Sequence, residues 1–177
     1  MMSDPIELVE RVRRRLTEHE NPFQIAGPVP EAAISAAEAA LGVTFPPSYR
    51  AFLRTFGKIA IPPHLGIVHD FVGVAEPSPP APDGSNAGNG GHDVVGRTLS
   101  ARVERKLGDH LIVVAMGAQF QEWFCLDISR PTASGEYPIL MFDARDNALD
   151  QQFYEDFGQM FQEVMGFVAD SLEHPLD

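Results

Sequence analysis

Leu111 to Phe142 reads LIVVAMGAQFQEWFCLDISRPTASGEYPILMF. It holds three apolar runs. Leu111–Met116 is continuous and rich in β-branched residues, the pattern of a strand covered on both faces. Gly117-Ala118 turns the chain. Glu122–Ile128 is a second strand, Ser129–Gly135 a turn region, and Tyr137–Phe142 a third strand. Connections this short between strands predict an antiparallel meander.

Helical periods flank this core. On the C-terminal side, Phe153, Phe157, Met160, Phe161, Val164, Val168 and Leu172 keep one face, predicting a last helix over that span. Gly158 and Gly166 inside it cost about 1 kcal/mol each against Ala and are expected to allow close packing on the sheet. On the N-terminal side, Thr98–Leu107 predicts a short helix with Leu99, Val103 and Leu107 on its apolar face and Gly108 as its stop. Leu65–Val74 (LGIVHDFVGV) predicts one bent strand or two short ones.

Three helices lead the chain. Asp4-Pro5-Ile6-Glu7 is an N-terminal signal, followed by the stripe Ile6, Val9, Val12 and Leu16. Arg11, Arg13, Arg14 and Arg15 read as a solvated cationic end that offsets the helix dipole, rather than as a phosphate site. Asn21–Val29 is a connector. A second helix opens near Pro30-Glu31, buries Ile34, Ala37 and Leu41, and stops at Gly42. A third opens at Pro46-Pro47 and carries Tyr49, Phe52, Leu53 and Phe56 before Gly57. The expected fold is one α+β domain over residues 1–177, a mainly antiparallel central sheet flanked by helices. Within it, 12 of the 18 residues from Glu76 to Asp93 are Gly, Pro, Ser or Asn. That composition predicts a flexible surface loop inserted in the domain.

The chain has 177 residues with ordinary apolar (44%) and charged (21%) shares, and no apolar run approaches a membrane span. The N-terminus carries charges where a secretion signal needs an apolar stretch, so a cytoplasmic protein is expected. One cysteine, Cys125, excludes an internal disulfide. Net charge is −12, and nine acids against one base, Arg145, put −8 of it between Met141 and Asp177. Such a field repels nucleic acid and anionic lipid and attracts a basic protein.

No catalytic signature emerges. Cys125 sits mid-strand between Phe124 and Leu126, as a packing thiol rather than a nucleophile. Asp127 at the strand end suits turn amides. Glu122 with Asp127, or Glu155 with Asp156, carry no spacing that marks an acid–base pair. The glycines Gly84, Gly88, Gly90 and Gly91 fit no phosphate-binding fingerprint. The metal-ligand candidates His64, His69, Asp70, His92 and Asp93 lack a helical i, i+4 pairing. His19, His110 and His174 lie at element edges. No catalytic residue, cofactor or metal is expected.

Ile34 to Gly57 also carries an ordered set: Ile34, Glu38, Leu41, Gly42, Phe45, Pro46, Tyr49, Phe52, Leu53 and Gly57. With LIVVA, EWFCLDISR, GEYPILMF and the aromatic C-terminal helix, it resembles the SUKH superfamily, the Smi-Knr-like proteins, over most of Ile34–Leu172. The 76–93 insert and the segment 62–66 depart from that pattern. The resemblance implies an α+β fold and a non-enzymatic role. Many bacterial relatives are immunity proteins that bind and neutralise a toxin, often a nuclease, from neighbouring cells; others are regulatory interaction scaffolds. The expected function is therefore binding of a cognate basic toxin through Asp143, Asp146, Asp150, Glu155 and Asp156. The rival is a scaffold for an endogenous protein, and the remoter one a metal hydrolase using His64, His69 and Asp70.

Overall fold

The computed structural model describes residues 4–17, 24–61, 68–74, 93–117 and 121–173. Helices α1 (Pro5–Thr17), α2 (Glu31–Leu41) and α3 (Pro47–Thr55) come first, with β1 (Gln24–Ile25) between α1 and α2. Then come β2 (Ile59–Ala60), β3 (Val68–Phe71), α4 (Val94–Glu104), β4 (Leu111–Gly117), β5 (Glu122–Asp127), β6 (Ile139–Asp143), β7 (Ala148–Tyr154) and α5 (Phe157–Glu173). The strands form one seven-stranded sheet in sequential order β1 to β7, every neighbouring pair antiparallel. The fold is the expected α+β class. The sheet is larger than the three-strand meander because two-residue strands and a bulged edge carry little periodicity.

The leading helices start where their caps allow. Asp4 accepts the Ile6 N–H at 2.8 Å. Val9 and Val12 of the expected stripe are buried and Leu8 joins them, while Ile6 is 54% exposed. In α2, Ile34, Ala37 and Leu41 are buried and Gly42 ends the helix at φ +68°. Glu38 serves the loop after α2: it accepts the Phe45 N–H at 2.7 Å and pairs with Arg50.

Helix α3 begins on Pro46 and Pro47, which supply no N–H. Its first free donor is met from 88 residues away. Glu136, in the β5–β6 loop, accepts the Ser48 N–H at 2.9 Å and the Ser48 hydroxyl at 2.6 Å. That carboxylate lies where the helix dipole favours negative charge. Tyr49, Phe52 and Leu53 face inward, as their spacing predicts.

One face of the sheet packs on α3 and α5. The register row Ile59–Phe71–Ala115–Phe124–Met141 points to it. There Phe71 meets Phe52 (5.8 Å between ring centroids) and Phe161 (5.2 Å), and Phe52 meets Phe157 (5.3 Å). Tyr49 is wholly buried and donates its hydroxyl to the Val72 carbonyl at 2.6 Å. Gly158 approaches Ser48 of α3, and nothing lies within 4 Å of a Cβ at Gly166, so neither glycine serves sheet packing as expected.

Helix α4 covers part of the opposite face and differs from its expected form. It starts at Val94, where Asp93 accepts the Gly96 N–H at 2.7 Å, and the chain leaves it through Lys106 at φ +56° rather than at Gly108. Its buried face is Val94, Thr98 and Ala101, while Val103 is 83% exposed and Leu99 42%. The cause is a bulge in β4 between Val113 and Ala115, which turns the Val113 N–H toward the Thr98 hydroxyl (3.1 Å). That bond fixes the rotation of α4 and sends the two apolar residues outward. Leu107 is buried, beyond the helix end.

The last correction concerns residues 148–154. Phe153 falls in phase with Phe157, but the chain turns through Asn147 at φ +50° and returns along β6 as β7. Helix α5 starts only at Phe157, where Asp156 accepts the Gln159 N–H at 2.8 Å. The expected loop lies outside the described residues except for Asp93.

Candidate functional site

Strand β7 is an edge of the sheet. Its register on β6 shifts twice, between Ile139 and Leu140 and between Leu140 and Phe142. Bulges at an edge oppose strand addition and re-aim side chains. Here Leu149 is 46% exposed and Phe153 47%, the latter with its ring 5.7 Å from Phe124.

The five acids expected to meet a partner all lie on the β6–β7 hairpin or the step into α5. They split into two kinds. Asp143 is half-buried and takes the Arg145 guanidinium (2.9 Å to Nη2) and the Arg145 N–H (2.9 Å). Those bonds hold its carboxyl below the usual carboxylate range. Asp156 caps α5. Both have local structural work. Asp146, Asp150 and Glu155 are exposed, and Glu155 uses its backbone N–H, not its carboxylate, to bind Gln159. Glu122 stands opposite Asp143 across β5–β6 and adds to the same field around Arg145. Asp127 is at the other end of β5, buried, accepting the Ser129 N–H (3.1 Å) and hydroxyl (2.5 Å), so Glu122 and Asp127 form no pair.

The register links this edge to a second feature. Gln24, Ala60, Asp70, Met116, Trp123, Phe142 and Leu149 oppose one another in one row across all seven strands. Opposed residues share a face, and this face is the one α4 covers in part. Trp123 lies 5.5 Å from Phe142, ring to ring. Between α4 and the row opens a groove of about 250 Å³, lined by Arg97, Ser100, Ala101 and Glu104 of α4 and by Val113, Met116 and Trp123. Behind it Asp70 is buried, with Lys58 Nζ at 3.6 Å and Arg97 Nη2 at 4.0 Å. Neither Leu149, Phe153 nor the groove was visible as a site in the sequence, because each depends on register.

The other candidates have ordinary surroundings. His69 Nδ1 lies 2.6 Å from the Ile61 carbonyl, Asp70 faces two cations, and Asp93 caps α4. His64, His92, His19 and His174 fall outside the described residues, and His110 is exposed. Among the described residues, no three His, Cys, Asp or Glu side chains converge to hold a metal ion. Cys125 is buried, and burial pushes its thiol far above the ordinary range, which disfavours the thiolate a nucleophile needs. No helix among the described residues is long and apolar enough to cross a membrane.

No curated protein matches the chain. The family model that describes the SMI1/KNR4 family (SUKH-1) matches residues 28–173. That span runs from just before α2 to the end of α5. It takes in the Ile34–Gly57 set, the whole β2–β7 meander and the hairpin that bears the acids. The chain belongs to the SMI1/KNR4 family (SUKH-1).

Proposed function

We propose that this protein is a non-enzymatic immunity protein. It binds a cognate bacterial toxin with a basic working surface, such as a nuclease, and occludes it. The observation that carries the reading is the β7 edge, where exposed Leu149 and Phe153 lie among Asp146, Asp150 and Glu155. Apolar contacts supply affinity at an interface, and a carboxylate field speeds the encounter with a cationic surface. Family membership and the chain's −12 net charge support the same reading. Because a nuclease toxin acts on nucleic acid inside the cell, we place the encounter in the cytoplasm.

Co-expression with the neighbouring open reading frame tests this, scored by growth and co-purification. The wild type should restore growth. The variant Asp146→Lys, Asp150→Lys, Glu155→Lys should fold, lose rescue, and lose it most completely at low salt in a binding assay. Rescue that survives all three reversals refutes the acidic mechanism. Co-purification of a harmless endogenous protein instead makes the chain a regulatory scaffold.

A further inference from the structure

We infer that two copies of this chain associate, the outer ridge of α4 in each meeting the β7 edge of the other. Two exposed surfaces of the one molecule match. The first is the outer side of α4, where Leu99 and Val103 stand one turn apart, 42% and 83% exposed. Their spacing with Leu107 is that of a buried stripe, yet within a single chain only Leu107 is covered. Arg105 and Lys106 follow at the helix end, both exposed, and among the described residues neither is in an ion pair. Two acids lie nearby. Glu104 lines the groove beside Trp123, and Asp109 lies against Arg102, with Oδ1 3.9 Å from Nε, so the two offset each other. Arg105 and Lys106 are left to give the ridge its sign. The second surface is the β7 edge, with Leu149 46% exposed between the exposed Asp146 and Asp150. Each surface carries aliphatic side chains beside charges, and the signs are opposite.

The two surfaces lie on the same side of the sheet. Leu149 shares the row Met116–Trp123–Phe142–Leu149, and Met116 and Trp123 line the groove against α4. From β4 to β7 is three strand steps, about 14 Å at the usual spacing. A two-fold axis between them lets each ridge meet the other copy's edge, so the contacts are exchanged and the assembly closes at two. A net charge of −12 repels a second copy at long range, but salt screens it beyond about 8 Å at physiological ionic strength. The facing surfaces then decide. The pair covers the edge that the proposed function gives to the toxin, so the toxin must displace a second copy; that consequence alone rests on the immunity reading.

Sedimentation equilibrium of the full chain at physiological salt tests this, from about 10 μM to about 1 mM, the range of a weak interface. The mass should rise from that of a monomer toward that of a dimer and no further. Arg105→Glu, Lys106→Glu in one variant and Asp146→Lys, Asp150→Lys in another should each weaken association at least about tenfold, because like charges then face one another. All four positions are exposed, and circular dichroism should show both variants folded. An equimolar mixture of the two variants should recover the wild-type association to within about threefold, because both exchanged contacts are then opposite in sign again. A wild type still monomeric at the highest concentration overturns the inference. So does a dimer indifferent to either pair of reversals, or a mixture no tighter than the variants alone, since each puts the contact elsewhere. Growth beyond the dimer overturns the two-fold exchange. The measurement needs no toxin. A monomer that rescues growth loses only the self-association; a dimer that fails to rescue loses only the immunity reading.

Discussion

Gly42 and Gly57 end successive helices with nearly the same torsion, φ +68° and +74°, yet alanine should be tolerated at one and not at the other. At Gly42 nothing lies within 4 Å of a built Cβ. Gly42→Ala therefore costs only the left-handed torsion, about 1–2 kcal/mol, less the few tenths gained by stiffening the unfolded chain. At Gly57 the new Cβ would overlap the Gly27 carbonyl oxygen, with the carbonyl carbon at 3.1 Å and Val29 Cγ2 at 3.3 Å. The oxygen must retreat by more than about 1 Å to reach ordinary contact. That movement pulls on the Gly27 N–H···Phe56 bond of 2.9 Å and the Val29 N–H···Leu53 bond of 3.0 Å, the ties between the β1 segment and α3. Losing one such bond and loosening the packing adds about 2–3 kcal/mol. Gly57→Ala should thus cost about 4 kcal/mol, a fall in Tm of roughly 8–16 °C for a domain of this size. Gly73→Ala supplies the steric part alone. Gly73 has no unusual torsion, but its Cβ would overlap the Gly57 carbonyl oxygen and lie 2.9 Å from Lys58 Cβ. Urea unfolding read by Trp123 emission and circular dichroism measures all three, with unchanged m-values required. If Gly57→Ala and Gly42→Ala agree within about 0.5 kcal/mol, the close-packed layer of Gly27, Gly57 and Gly73 is not what makes these positions glycine.

Two further outcomes follow from the same contacts. Glu136→Ala removes both bonds to Ser48 and the charge at the α3 N-terminus, and should cost about 2–3 kcal/mol in urea unfolding. Glu136→Gln should recover part of it, and a loss below 0.5 kcal/mol for the alanine variant would exclude the distant cap. Burial pushes the ionisation of both Tyr49 and Cys125 to higher pH, with the Asp93 and Asp70 charges adding at Tyr49. In the unfolded chain these groups ionise near pH 10 and 8.5, about their free values. Their contribution is therefore complete below about pH 8 and is lost as pH rises, at up to about 1.4 kcal/mol per pH unit per group. Stability measured from pH 8 to 11 should fall less steeply in Tyr49→Phe, Cys125→Ala than in wild type; parallel curves would contradict the assignment.

Where local pattern and tertiary demand agreed, the sequence was sufficient. Tyr49, Phe52 and Leu53 recur at helical spacing behind two prolines, and Leu111–Met116 is apolar throughout. Helix α3 and strand β4 each have one way to bury those residues. The ordered set from Ile34 to Gly57 likewise pointed to the family. Phe153 shows where pattern misled. Its spacing from Phe157 fits a helix, but backbone pairing with β6 and the cap at Asp156 outweigh four residues of periodicity. Leu99 and Val103 misled for a related reason, since one bulged N–H in β4 rotates α4 away from them.

Composition and periodicity by themselves determined the class of fold, the acidic character and its concentration in the last fifth of the chain, because these depend only on neighbours along the sequence. The tertiary structure decided the rest. It showed that Asp143 and Asp156 serve the hairpin and the α5 cap while Asp146, Asp150 and Glu155 remain exposed, and that Glu136 serves a helix 88 residues distant. It also set Trp123 in a row with Met116 and Leu149. A shift of one residue in strand register exchanges the faces of a sheet. Which side chains form a site on this sheet was therefore open until the strands were paired.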